Sequence, residues 1–508
     1  MDTDQFLQDD GAPDSLRARL RLRSASVDPM NYSRPAIGAA RLAYAVALAV
    51  GLLMGVFLLE IPVQLSDSFT EFTAIEGRSL PEIIGAEFYN GSYFRPLRRG
   101  LIKIVHDLSA GHYYLAFRGF QAVQVVVLLL LAVRMLRVRS RAGVFALPLG
   151  LAILVGLHTF AGAVVEGLPI NHFLTILICC AAAVNLAQAQ PRPLVDLASI
   201  ALLVAAMLTI ESGLLVWVIF VAAYLVGYQG VSRRGMAALT VCVAVYFVGR
   251  FILIGGTAPG LDERSAGFGF AVLNPDELTK RFGSNPVPFY LYNVVSAISC
   301  VLFAEPRGGV WAFARNLTRG LPDAWQVVNV VTSTATTFLI GRYAITRLSS
   351  WRAREFSEAD RFVIMFLVVL PANALFAAAY EKDVIMSPAG LFYAVAAYMV
   401  VRELMAPEAS PVGATSALSV APVLLLLIAA GWTIRFIGIH DSLRARALSV
   451  RDEWAYYDDW AREQRTDVEL DAAQSAIKEH LFEDAVLRAP RVPQVSLGAI
   501  DALFDRTQ

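Results

Sequence analysis

Charge is what this chain has least of for its size. Asp, Glu, Lys and Arg together make up 17% of its 508 residues, against about 25% in a soluble domain. Lysine is nearly absent: Lys103, Lys280, Lys382 and Lys478 are the four in the chain, and arginine supplies the rest of the 43 basic residues. The formal net charge is zero, which removes bulk attraction to nucleic acid as a basis for function. Cysteine is scarce too. Cys179, Cys180, Cys242 and Cys300 show no CxxC spacing, and the first three lie in apolar runs. Neither a disulfide framework nor a zinc site is expected from them. Residues 1–36 lack an early apolar core and carry Arg17, Arg19, Arg21 and Arg23. They read as a disordered cytoplasmic tail rather than a cleavable signal peptide. There is no internal repeat and no low-complexity tract.

Long apolar runs take the place of charge. The chain is 56% hydrophobic with a mean hydropathy of +0.55, and runs of this length are membrane spans. The fold class expected is an all-α polytopic membrane protein, with residues 37–440 as the transmembrane domain. Arginine-rich loops alternate with loops rich in acids, aromatics and histidine. The positive-inside rule puts the arginine-rich set in the cytoplasm and the other set outside. The first span is expected at about 41–63, followed by a long outer loop at 64–112. Span two, about 113–136, ends inward at Arg134, Arg137, Arg139 and Arg141. Span three is about 143–162, and a short outer loop with His158, Glu166 and His172 follows it. The stretch at about 195–228 is too long for one span: as a helix it would reach roughly 50 Å, against a hydrocarbon core of about 30 Å. A break near Glu211-Ser212-Gly213 divides it and keeps Arg192 and Arg233-Arg234 on one side. A second outer segment, 256–324, contains a moderately apolar stretch at 289–304. Counted as a span it would put Arg342, Arg347, Arg352 and Arg354 outside, so it reads as interfacial or re-entrant. The total is about eleven spans. Most read as clean, with the polar groups gathered outside the membrane. Residues 441–508 form an outer helical tail carrying Trp454, Tyr456, Tyr457 and Trp460. An amphipathic helix resting on the membrane or on the outer loops is one reading of it, and acceptor recognition is the other.

The first outer loop holds the groups best suited to chemistry. Asp67 stands just beyond the first span, followed by Glu71. Ser79-Leu80-Pro81-Glu82 has the capping-box pattern that opens a helix. Pro96 fits the first position of a second surface helix, about 96–107, preceded by Tyr93-Phe94-Arg95 and carrying Arg98, Lys103, His106 and Asp107. The loop is acidic first and basic second. A carboxylate can take a proton from a hydroxyl, and neighbouring cations can hold a phosphate leaving group. Acids and arginines in such a loop also form plain ion pairs or contact lipid headgroups.

These residues resemble the GT-C superfamily of membrane glycosyltransferases, above all bacterial branches related to protein O-mannosyltransferases. The resemblance rests on an Asp after the first span, on Tyr93-Phe94-Arg95-Pro96-Leu97, on Thr209-Ile210-Glu211-Ser212-Gly213-Leu214, and on Tyr380-Glu381-Lys382-Asp383-Val384-Ile385-Met386-Ser387-Pro388-Ala389-Gly390. It covers roughly 40–440, with these motifs in order and on one side of the membrane. It implies a polyprenyl-phosphate-linked sugar as donor and transfer on the outer face. It also implies a catalytic carboxylate at Asp67 or Glu71, because the paired acids usual in the family are interrupted here by Ser68. Donor phosphate would be bound by Arg95, Lys382 and Arg98, with Glu211, Asp383, Arg250 and His158 in support. Some branches use a divalent cation, magnesium or manganese; no metal-ligand spacing in this chain selects between them, and no cofactor is fixed. The acceptor would be an envelope glycan, lipid or protein, with membrane lipids around the enzyme and no nucleic acid. An arginine-heavy basic set fits a GC-rich bacterium, so the expected location is the plasma membrane, multi-pass, with a periplasmic active face. The rivals are a lipid-linked glycan flippase or transporter, an O-antigen-type polymerase or ligase, and a non-catalytic scaffold.

Overall fold

A computed structural model describes residues 34–455 and 471–487, apart from 65, 90–92, 166–169, 171, 257–260, 262–265, 270, 284, 304–308, 321, 323, 380–382 and 406–419. Nearly all of the described chain is helical. Helix α1 (Arg34–Leu58) is followed by the loop helices α2 (Ser66–Ile75), α3 (Leu80–Ala86) and α4 (Pro96–Ser109). Next come α5 (Tyr113–Leu136), α6 (Arg141–Gly156), α7 (His158–Val165), α8 (His172–Ala187), α9 (Pro193–Met207), α10 (Leu215–Leu225) and α11 (Arg233–Phe247). A hairpin of β1 (Ala266–Phe268) and β2 (Ala271–Leu273) leads to α12 (Pro275–Phe282), α13 (Val287–Phe303), α14 (Gly309–Arg319), α15 (Ala324–Arg352), α16 (Glu358–Phe376) and α17 (Ser387–Leu404). The chain closes with α18 (Val420–Ala455) and α19 (Ala472–Leu487). Local sequence explains many of the starts. Pro96, Pro193 and Pro275 sit in first turns, where a missing N–H costs nothing. Ser140, Ser232, Asn274 and Ser357 each accept a backbone N–H three residues on and cap the helix that follows.

Among the described residues, five helical stretches are long and apolar enough to cross a membrane: Ile37–Leu58, Tyr113–Leu136, Arg233–Leu253, Glu358–Phe376 and Val384–Leu404. Two bent pairs raise the number to seven, and α8, α9 and α10 are shorter apolar helices. The protein is an all-helical membrane protein in its main body. Helix α17 is its hub, buried on every side from Ser387 to Val401, as a helix apolar all round should be.

The break expected in 195–228 lies at 208–214, between α9 and α10. Asp196 at the start of α9 accepts from the Ser232 amide and hydroxyl, so the chain returns to the side from which it set out. Gly213 makes the turn possible, because a Cβ there would collide with the Ala206 carbonyl. The stretch expected to be interfacial or re-entrant is α13. Asn293 near its start donates to the Ala378 carbonyl beyond the end of α16, and Leu302 near its end accepts from Thr337 midway along α15. Helix α14 then returns to Gln326 at the start of α15.

The chemistry of the two bundle ends differs. At the basic end, Arg137 donates to the Gln188 carbonyl, Arg402 pairs with Glu358, and Arg347 grips the fully buried Asp360 through two nitrogens. At the other end, the loop helices build a core of their own. Phe69, Phe72, Ile75, Ile102 and Phe117 pack with Val450 and Trp454 of α18 and Ile477 and Leu481 of α19. The tail therefore rests on the loop helices, one of the two positions the sequence allows. Its Tyr456, Tyr457 and Trp460 lie outside the described residues, as do 1–33.

The expectation of clean spans needs correction. One face of α15 carries Asn329, Thr332, Ser333 and Thr336, all buried, and α18 contributes the fully buried Arg435, which donates to Thr332 and Ser333. Buried hydroxyls tolerate this depth because each finds a partner within the bundle. His158 needs correction too. It opens α7 at a 65° bend between α6 and α7 rather than lying in an outer loop, and its Nε2 is 3.3 Å from Asn329 Nδ2.

Candidate active site at the loop end of the bundle

Glu71 lies in the second turn of α2, and α4 brings its arginines against it. Arg98 Nη2 lies 3.0 Å and Arg99 Nη1 3.2 Å from the two Glu71 oxygens. Glu87, which follows α3, accepts from the Arg95 amide at 2.8 Å and pairs with Arg99 at 3.3 Å. The arginine-bearing strip is then fixed to the break between α9 and α10. The Leu97 amide donates to the Leu208 carbonyl, and Arg95 Nη2 reaches Glu211 at 3.1 Å. The other Glu211 oxygen meets Arg250 at 2.7 Å. Arg250 sits in a widened helical stretch, Val248–Leu253, that extends α11, and also donates to Tyr246. The Arg95 guanidinium stacks over Tyr93 at 4.6 Å.

Among the described side chains, four guanidiniums face three carboxylates. The Nε–H donors of Arg95 and Arg98 and the Ser212 hydroxyl are buried without a partner among the described residues. Buried donors of this kind call for an acceptor, and a phosphate oxygen would fit their charge. Burial is the main influence on the Arg98 guanidinium and lowers its pKa, with Glu71 opposing it. A second polar group lies further along α4. His106 stacks on Tyr113 at 4.9 Å, with Glu76 at 3.3 Å and Asp107 at 3.4 Å from its ring nitrogens. Burial dominates there and holds the imidazole pKa below its ordinary value, against the Asp107 hydrogen bond and Glu76. Burial alone would raise Asp107, but Lys103 at 2.6 Å and His106 outweigh it and leave it lowered.

Of the residues singled out from the sequence, Glu71, Arg95, Arg98, Glu211 and Arg250 are brought into this one network. Asp67 stands one helical turn before Glu71 on α2; its side chain lies outside the described residues. Lys382 and Glu166 also lie outside them, and Asp383 is described only as the start of the turn Asp383–Met386. His158 belongs instead with Asn329 and Arg435, between α7, α15 and α18. Sequence reading missed Arg99 and Glu87, whose roles depend on how α3 packs on α4. It also missed the polar face of α15, although the spacing i, i+3, i+4, i+7 from Asn329 to Thr336 is a legible helical stripe. Among the described residues no three His, Cys, Asp or Glu side chains gather as a metal site. No family model, no curated protein and no solved structure matches the chain.

Proposed function

We propose that the protein is a membrane glycosyltransferase of the GT-C type, moving a sugar from a polyprenyl-phosphate donor to an acceptor hydroxyl at the loop end of the bundle. One observation carries the reading. Glu71, Arg95 with Arg98, Glu211 and Arg250 come from segments far apart in the sequence, yet they share one network with spare cationic donors. The eleven-span topology belongs to the proposal. The two turns on which its parity rests are the α9–α10 break and the α13–α14 excursion, and both return to the end they left. The proposed setting is a bacterial plasma membrane with the loop end in the periplasm, and an envelope glycan, lipid or protein as acceptor.

In this mechanism the donor phosphate lies against Arg95 and Arg98. Glu71 is an unsuitable base, because both its oxygens are held by arginines. The base is therefore Asp67, which takes the acceptor hydroxyl proton as the oxygen attacks the anomeric carbon. The bond from that carbon to the phosphate oxygen breaks, its electron pair leaves with the lipid phosphate, and the anomeric centre inverts. Spare arginine donors stabilise the charge that grows on the phosphate. Among the described residues, Glu71, Glu87 and Glu211 are each paired with arginines.

The two acids give the test. Asp67→Asn should cut transfer at least ~100-fold with the unfolding midpoint unchanged. Glu71→Gln, which leaves Arg98 buried beside a neutral partner, should cost about 3 kcal/mol of stability. Full activity in Asp67→Asn would remove the mechanism.

The polar face of α15 with Arg435 favours a second reading, a flippase for lipid-linked glycans, since transporters place polar groups inside the bundle. Movement of intact donor across a liposome membrane, without release of polyprenyl phosphate, would select it.

A further inference from the structure

Three consecutive carbonyls lie between the end of α1 and the start of α2. Each is held from another part of the chain. Arg118 of α5 donates from Nε to the Ile61 carbonyl at 2.7 Å and from Nη2 to that of Pro62 at 2.6 Å. Trp454 of α18 donates from Nε1 to the Val63 carbonyl at 2.7 Å. Both side chains are fully buried. The remaining Arg118 nitrogen, Nη1, is taken by Gln121, which fixes the guanidinium in its fork. The Trp454 ring meets Phe69 of α2 edge-on at 6.0 Å. Buried backbone acceptors outside helices need partners, and here the partners are two residues remote in sequence, aimed at the approach to Asp67.

Helix α18 is unbroken from Val420 to Ala455. It carries Trp432, which donates to Thr336 inside the bundle, and Trp454, which holds the loop. One rigid rod therefore ties the bundle interior to the segment ahead of α2. The start of α4 has a separate anchor, since Arg95 pairs with Glu211 and the Leu97 amide donates to the Leu208 carbonyl, while Arg98 and Arg99 pair with Glu71 of α2.

We propose that Arg118 and Trp454 are positioning residues that clamp residues 61–63 and so set where α2 presents Asp67 to the acceptor. This rests on the reading of Asp67 as the base. Because Arg95 has its own anchor at Glu211, outside α2, loosening the clamp displaces the base more than it disturbs donor binding. A misplacement of about 1 Å can cost on the order of 100-fold in rate.

The test uses the full chain in lipid, comparing wild type with Trp454→Phe, which keeps a ring against Phe69 and loses the N–H. The clamp predicts a kcat at least ~10-fold lower with donor KM within about twofold. It also predicts amide exchange across 66–75 roughly fivefold faster, with exchange in α5 unchanged. Arg118→Lys, which keeps the cation but not the two-pronged grip, should move the same readouts in the same direction. A wild-type kcat together with wild-type exchange in either folded variant overturns the clamp, as does a loss expressed only in KM. Faster exchange in a protein that turns over no donor at all would uphold the clamp and sink the proposed reaction instead.

Discussion

His106 is the residue whose surroundings translate most directly into a pH effect. Its ring is buried against Phe72 and Tyr113, and the charged groups facing it are Glu76, Asp107 and Lys103. Burial keeps its folded pKa below the ordinary value near 6.5, so below about pH 6.5 the unfolded chain takes up the proton first. The stability His106 contributes is therefore complete above that pH and is lost as the pH falls through the lowered folded value. The unfolding midpoint of wild type should drop further between about pH 7.5 and 5 than that of His106→Gln. Equal drops would show that His106 is not the titrating group. The neighbouring choice between Asp67 and Glu71 could not be made from sequence. Spacing shows that both acids follow a span, but which arginines reach Glu71 is decided by the docking of α4 on α2.

Elements were legible where their signals are local. Pro96 in a first turn and the capping pattern Ser79 to Glu82 mark helix starts that the structure retains. The break between α9 and α10 could be read from length alone, because a single helix would overrun the bilayer. The bend at Leu157, which turns His158 toward Asn329, has no such signal. Only the packing of α7 against the turn Asp383–Met386 and α18 accounts for it. The 208–214 break also concentrates function, since it carries Glu211 and accepts the Leu97 amide. Gly213→Ala forces a Cβ onto the Ala206 carbonyl and should cost roughly 2 kcal/mol. Thermal unfolding in lipid would measure this, and an unchanged midpoint would mean the turn relaxes freely.

Across the whole molecule, composition and charge placement foretold a helical membrane protein, and the apolar helices of the structure fit one. The sequence allowed the tail to rest on the outer loops but named none of the partners, such as Val63 and Trp454, which stand at opposite ends of the chain. The polar stripe from Asn329 to Thr336 was legible by its spacing, but Arg435 alone in an apolar run names no partner for it. The molecule thus offers a cationic network at the loop end, a clamped helix carrying Asp67, and a buried polar stripe beneath. The most direct test of transfer from a lipid-phosphate donor is to reconstitute the wild-type protein in liposomes, supply a panel of polyprenyl-phosphate sugars with and without hydroxyl acceptors, and assay released polyprenyl phosphate. The account predicts release with one donor class, stimulated by acceptor and absent in Asp67→Asn. Donor carried intact across the bilayer, with no phosphate released, would contradict it.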